Sequence, residues 1–258
     1  MVRTLLIRGM LVGLLAGLLV FGFGRVFGEP QVDQAISFEA AMDAAQAKAD
    51  IAKGLPAPIE EPELVSRKVQ AGLGLLTGTV VYSTAFGGLF ALVFAFAYGR
   101  VGSLSPRALA ALLAAAGLIA LYLVPNLKYP ANPPAVGQHD TIGIRTALYF
   151  LMMLISIAAM VGAVMLRQRL LPRHGGWTAS LIAGGAYLAI VVIAGGWVLP
   201  PVNEVPATFP ASVLWNFRIA ALGMQLVMWT TIGLLFGWLT ERAMLASHSY
   251  RFQPAGLR

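Results

Sequence analysis

Residues 146–166 read TALYFLMMLISIAAMVGAVML, a run without a single charge. A helix rises 1.5 Å per residue, so about 20 apolar residues cross the ~30 Å hydrocarbon core of a bilayer. This run has that length and carries nothing more polar than a hydroxyl. The rest of the chain agrees with it. Hydrophobic residues make up 58% of 258 and charged residues only 11%, against about 25% charged in an ordinary soluble domain. Mean hydropathy is +0.77. A soluble protein of this size could not hide so much apolar surface, so its solvent is lipid.

Outward from this run lie five more of similar length. They cover residues 4–24, 69–98, 108–124, 177–199 and 219–240, each bounded by basic residues, prolines or glycines. The expected fold is all-α: one polytopic integral membrane helix bundle of about six transmembrane helices over residues 1–258. A long outer loop, 25–68, follows the first helix. The first run has the basic start of a signal peptide, but Gly24-Arg25-Val26-Phe27 lacks the small residues of a cleavage site, so it is read as a retained helix.

The basic residues orient the bundle. With the amino terminus inside, the cytoplasmic face holds Arg3, Arg8, Arg100, Arg107, Arg167, Arg169, Arg173, Arg242, Arg251 and Arg258, opposed only by Glu241. The outer face then carries eight basic and ten acidic residues. Both termini are expected in the cytoplasm. The formal charge of +7 is spread singly between apolar runs, without a basic tail, which does not suit nucleic acid.

Absent chemistry narrows the class. Without cysteine there is no disulfide, thiolate metal site or thiol nucleophile. No Gly-x-x-x-x-Gly-Lys-Ser/Thr loop, His-Glu-x-x-His or Gly-x-Ser-x-Gly occurs, and the runs hold almost no ionisable residue beyond their ends. An enzyme is not expected, nor a bound cofactor. Met152, Met153, Met160 and Met165 could pass a soft metal or simply fill gaps in a packed bundle. Gly9, Gly13 and Gly17, and again Gly74 and Gly78, recur every fourth residue, a spacing that lets helix backbones approach.

Polar chemistry is confined to the outer loops. Residues 124–140, VPNLKYPANPPAVGQHD, hold four prolines, each of which removes a donor and clashes with the preceding turn of a helix. Irregular backbone at the bilayer edge leaves carbonyls that need water, protein or an ion. Around it stand Asn126, Tyr129, Asn132, Gln138, His139 and Asp140. The stretch has an echo: Pro130-Ala-Asn-Pro-Pro-Ala135 resembles Pro206-Ala-Thr-Phe-Pro-Ala211, each after a helix ending in proline (Pro125, Pro200) and before an arginine that opens the next (Arg145, Arg218). Arg67 and Lys68 stand likewise before the second helix. The chain reads as three helical hairpins with irregular loops on the outer face, the kind of interrupted segment found at transporter binding regions. His139, Asp140, Asn126, Glu204 and Glu29 are the candidate metal ligands, nitrogen and oxygen donors that suit a borderline divalent cation. His174 and His248 read as cytoplasmic surface residues.

In the first outer loop, Asp33 is expected to cap a helix that Gly54 ends. Glu39, Asp43, Gln46 and Asp50 share one face of it, with Ile36, Ala40, Ala44, Ala47 and Ile51 opposite, an amphipathic pattern. Glu39, Asp43 and Asp50 form a surface that attracts cations, or simply a solvated face. Residues 55–63, LPAPIEEPE, follow as a stiff linker.

The run Leu123–Gly137, LVPNLKYPANPPAVG, resembles the signature of CbtA, a family of predicted cobalt transporters. Gly28-Glu-Pro, with Val32-Asp33, Ala35-Ile36 and Glu39, is similar to that family's first outer loop. The resemblance covers nearly the whole chain. It implies a multi-pass protein of the bacterial inner membrane that imports Co²⁺ for cobalamin synthesis. The partner it implies is a small single-span, histidine-rich membrane subunit. It also implies five spans where the apolar runs number six, a difference expected at the first run or the third. Two other readings remain: a non-transporting membrane scaffold or assembly subunit, and a carrier of a small organic solute.

Overall fold

The computed structural model describes residues 2–54, 56, 64–134, 136–137 and 139–251, the side chains of His139 and of residues 247–251 apart. The expected linker therefore lies outside the described residues except for Pro56, as do Gln138, Arg258 and the side chains of His248 and Arg251. Among the described residues all regular structure is helical. The helices are α1 (Val2–Phe23), α2 (Glu29–Ala52), the short α3 (Arg67–Val69), α4 (Leu75–Ala97), α5 (Pro106–Gly117), α6 (Val124–Lys128), α7 (His139–Ile193) and α8 (Ala211–Arg251). Four π-helical stretches join or end them: Gly24–Gly28, Gln70–Gly74, Leu118–Leu123 and Ala194–Val198.

Among the described residues, five helices are long and apolar enough to cross a membrane: Val2–Ala52, Arg67–Ala97, Pro106–Lys128, Asp140–Val198 and Ala211–Ala246. The fourth is two limbs. Gly175 sits at φ 73°, ψ 168°, backbone that only glycine adopts readily. Arg167 Nε donates to Ser180 Oγ at 2.9 Å, although thirteen residues of straight helix would hold them about 20 Å apart. Ser156 and Tyr187 hydroxyls meet at 2.8 Å, and Met152 reaches Gly195. As one limb advances the other recedes, so the limbs are antiparallel. The five helices thus supply six apolar segments, in keeping with the expected count of about six.

Three of the π-helical stretches share a rule. Gly24–Gly28 is followed by Glu29-Pro30, Leu118–Leu123 by Val124-Pro125, and Ala194–Val198 by Leu199-Pro200. A proline cannot donate to the carbonyl four residues back. At the first two of these a π turn lets the next amide, five residues on, take that carbonyl instead; at the third Pro201 follows Pro200, and the helix simply ends, with Leu199 N donating to Ala194 O at 2.9 Å. This explains two departures from expectation. The third helix passes through Pro125 to Lys128, where Tyr129 N donates to Pro125 O at 2.8 Å. The first does not stop near Gly24: helix is continuous to Ala52, with Pro30 just past the π turn that accommodates it. Asp33 therefore lies inside the helix rather than at its cap, and its carbonyl accepts from Ser37 Oγ. Gly54, at φ +79°, does end the helix.

The chain forms two compact units. In the first (residues 1–25, 65–117 and 223–258), α1 packs against α4 through glycine. A Cβ on Gly9 would strike the Gly87 carbonyl, one on Gly13 would lie 2.9 Å from Thr84 Cα, and one on Gly17 would lie 2.6 Å from Val80 Cα. Partners recede on α4 as α1 advances, an antiparallel pair in backbone contact. Gly233 and Gly237 of α8 face Ala114 and Ala110 of α5 in the same manner. Phe90 and Phe94 meet Phe236 edge to face at 5.4 and 5.1 Å, closing α4 on α8. Arg8 donates to the buried Thr240 hydroxyl at 3.1 Å, and Arg107 pairs with Glu241.

In the second unit (residues 26–64 and 118–222), Tyr129, Met152, Ala159, Tyr187, Val191, Ala194 and Leu199 form the core of the α7 hairpin. A smaller cluster joins Ala35 of α2 to Val136, Phe209 and Val213, with Phe38 edge to face on Phe209 at 5.1 Å. Contrary to the amphipathic pattern, the outer part of α2 buries almost nothing. Ala40, Ala44 and Ile51 are exposed, and among the described residues the apolar cluster on α2 takes in Ala35 and Phe38.

Candidate functional site

The proline-rich stretch after α6 is held by hydrogen bonds from both sides. Asn126 Oδ1 accepts from Ala131 N at 2.9 Å, folding the chain back over the end of α6. Arg145, near the start of α7, donates to the Pro130 carbonyl. Arg218, near the start of α8, donates through Nε to Ala131 O at 3.1 Å and through a terminal nitrogen to Asn132 Oδ1 at 3.0 Å. Tyr129 is buried and donates to Pro200 O at 2.8 Å; burial pushes its phenol above the ordinary value, so it remains a donor.

The two echoing loops are therefore not used alike. Both arginines, from equivalent places in the pattern, grip the first loop. The second contributes Glu204, the one acid in the sequence between them, with a side chain 1% exposed. Thr141 Oγ1 donates to Glu204 Oε1 at 2.7 Å. Arg145 Nε lies 3.4 Å from Oε2, close enough for an ion pair but without hydrogen-bond geometry, and Oε2 is buried with no hydrogen bond among the described residues. Beside this network is a cavity of about 320 Å³ lined by Asn126, Tyr129, Asn132, Arg145, Thr146 and Tyr149.

The candidate ligands fall as follows. Glu204 and Asn126 lie in the network, each bonded within it. Asp140 is exposed in the first turn of α7, adjacent to the Thr141 that binds Glu204. The side chain of His139 lies outside the described residues. Glu29 is buried, 7% exposed, at the start of α2. Among the described residues no three His, Asp or Glu side chains gather as metal ligands would. Glu39 and Asp43 are exposed on α2, and the Asp50 carboxylate accepts from Gln46 Nε2 at 3.1 Å.

What the sequence reading passed over is the role of the arginines. Arg145 and Arg218 appeared as helix openers, whereas the fold makes them the straps of the loop. The signal was Glu204: a carboxylate beside the membrane stays buried only with counter-charge, and these two arginines flank it in the pattern. Chemically the site offers one buried carboxylate, amide oxygens and loop carbonyls, with a guanidinium standing where a cation would approach Oε2.

The sequence profile of a family described as "Probable cobalt transporter subunit (CbtA)" matches residues 2–241. No curated protein and no solved structure matches the chain.

Proposed function

The chain belongs to the CbtA family of probable cobalt transporter subunits, and from that premise we propose that it carries Co²⁺, or a divalent cation of the same kind, inward across the bacterial cytoplasmic membrane to supply cobalamin synthesis. The match over nearly the whole length carries this reading, and the apolar helices supply the membrane-spanning body it requires. The proposal puts both termini in the cytoplasm, the side that the distribution of arginine favours. The proposed partner is a small single-span, histidine-rich subunit, in keeping with a family whose members are parts of a larger transporter.

In this reading the outer site comprises Glu204, Asp140, Asn126 and His139, with Glu29 as a further acid, and Arg145 is the place-holder. A divalent cation brings twice the charge of the guanidinium to Glu204. It can displace Arg145 only if loop carbonyls and His139 also replace its lost water. The acidic face of α2 raises the local cation concentration by its field.

The test is Co²⁺ uptake by proteoliposomes, with calorimetric Co²⁺ titration of the same protein. His139→Ala and Asp140→Asn should weaken both about ten-fold or more while leaving protein in the membrane. Replacing Pro133 and Pro134 together by Ala should act likewise by loosening the loop. The scaffold reading draws on the fact that Asn126 and Glu204 are already bonded within the chain; it forecasts identical isotherms for wild type and His139→Ala, and changes only in partner association.

A further inference from the structure

The first unit contains a cavity of about 390 Å³ between α4 and α8, away from any loop. Much of its wall is apolar, but Thr79, Tyr82, Ser83, Met224, Gln225 and Met228 line it. Three features set these residues apart from ordinary packing. Ser83 is 0% exposed and its Oγ has no hydrogen-bond partner among the described residues, which buried hydroxyls seldom tolerate. Gln225 is the only carboxamide more than one turn inside any of the six apolar runs, a costly place for an amide that lacks partners; it bonds Tyr82. Met224 and Met228 stand one turn apart on α8, so both thioethers belong to one face. Gly24 leaves room for the first: a Cβ there would lie 3.0 Å from Met224 Cε and 3.3 Å from Sδ.

We propose that this cavity is an intramembrane station for the transported cation, offering it the thioethers of Met224 and Met228, the Ser83 hydroxyl and the Gln225 carbonyl. The proposal rests on the transport reading above and adds a second site to it. The donors are neutral, which suits passage: a carboxylate here would hold a divalent ion too tightly to release, whereas conduction needs binding that is favourable yet weak. The space exceeds many times the ~15 Å³ of probe-occupied volume that one water needs, so the ion enters with part of its hydration shell and avoids the full desolvation cost. Thioether and hydroxyl together select a soft to borderline transition-metal cation over Mg²⁺ or Ca²⁺, which require oxygen throughout.

X-ray absorption at the cobalt edge tests this directly, on detergent-purified wild-type protein equilibrated with Co²⁺. The chain has no cysteine, so any sulfur neighbour of cobalt is a methionine. A sulfur shell is expected in wild type and should vanish in the double variant Met224→Leu/Met228→Leu, a swap that conserves volume. Uptake by proteoliposomes should fall about ten-fold in that variant and in Ser83→Ala. Gly24→Ala, which pushes the Met224 thioether aside without removing it, should lower uptake less. Wild type that takes up Co²⁺ and binds it without a sulfur neighbour would overturn the station while leaving transport intact, as would a sulfur shell or full uptake that survives the double variant. Wild type that neither binds nor carries Co²⁺ would sink both readings.

Discussion

Gly13 and Gly78 look alike in the sequence, each four residues from another glycine in an apolar run. Their surroundings differ. A Cβ on Gly13 would meet the backbone of Ser83 and Thr84, whereas one on Gly78 meets nothing within 4 Å. Gly13→Ala should therefore force α1 from α4 and cost about 1–3 kcal/mol. Gly78→Ala should be neutral or slightly stabilising, since glycine inside a helix is ~1 kcal/mol worse than alanine. Unfolding of both variants in mixed micelles checks the pair; equal losses would show that spacing alone sets the effect. Glu204 gives the electrostatic counterpart. Glu204→Gln leaves Arg145, beside Arg218, without its counter-charge and should destabilise by about 3 kcal/mol, as removal of one partner of a buried pair does. Adding Arg145→Met should restore much of that, because the unpaired charge goes with it. A double variant no better than the single would mean that Arg145 is bound to the Pro130 carbonyl more than to the acid.

Elements were legible where length and hydropathy decide, and misread where proline chemistry does. The apolar runs follow from composition alone. The continuation of helix through residues 24–52 does not, because Gly24, Gly28 and Pro30 each look like breakers, and the π turn that accommodates them leaves no mark in hydropathy. The same holds for Pro125. At the outer loops the sequence offered the oxygen and nitrogen donors but not their mutual bonds, since hydrogen bonds such as Arg218 to Asn132 join residues far apart in the chain. The reversal at Gly175 was readable from Arg173-His174-Gly175-Gly176, a polar and flexible interruption. Gly175→Ala should cost about 1–3 kcal/mol, the strain of a positive φ on a residue with Cβ, and should loosen the Arg167–Ser180 hydrogen bond; thermal unfolding against a Gly176→Ala control reads it. The exposed outer part of α2 carries a different expectation. If its carboxylates act by field, Glu39→Gln, Asp43→Asn and Asp50→Asn together slow Co²⁺ uptake at low ionic strength and hardly at 0.15 M, where the screening length is about 8 Å. An equal loss at both salts would indicate a direct contact instead.

For the whole molecule the question is which way each helix runs. Within the first unit α1 and α4 are antiparallel, as are α5 and α8. The aromatic pairs Phe86–Trp229 and Phe90–Phe236 advance together along α4 and α8, which are therefore parallel. Within the second unit the limbs of α7 are antiparallel, so the turn at residues 174–176 lies at the opposite end of that hairpin from the loop at 199–210. Each unit by itself thus agrees with a chain that crosses the bilayer on alternate strokes. The proposed orientation rests on arginine: Arg100 and Arg107 flank the turn at 98–105, Arg167, Arg169 and Arg173 approach the one at 174–176, and basic residues favour the cytoplasm. The absence of cysteine makes the assignment testable one position at a time. Thr208→Cys, exposed in the loop before α8, should react with a membrane-impermeant maleimide in intact cells. Ser103→Cys and His174→Cys, both at exposed positions, should react only after the membrane is opened. Reaction of His174→Cys in intact cells would put the Gly175 turn on the same face as Thr208. The second limb of α7 would then not cross the bilayer, and six crossings with both termini in the cytoplasm would no longer stand.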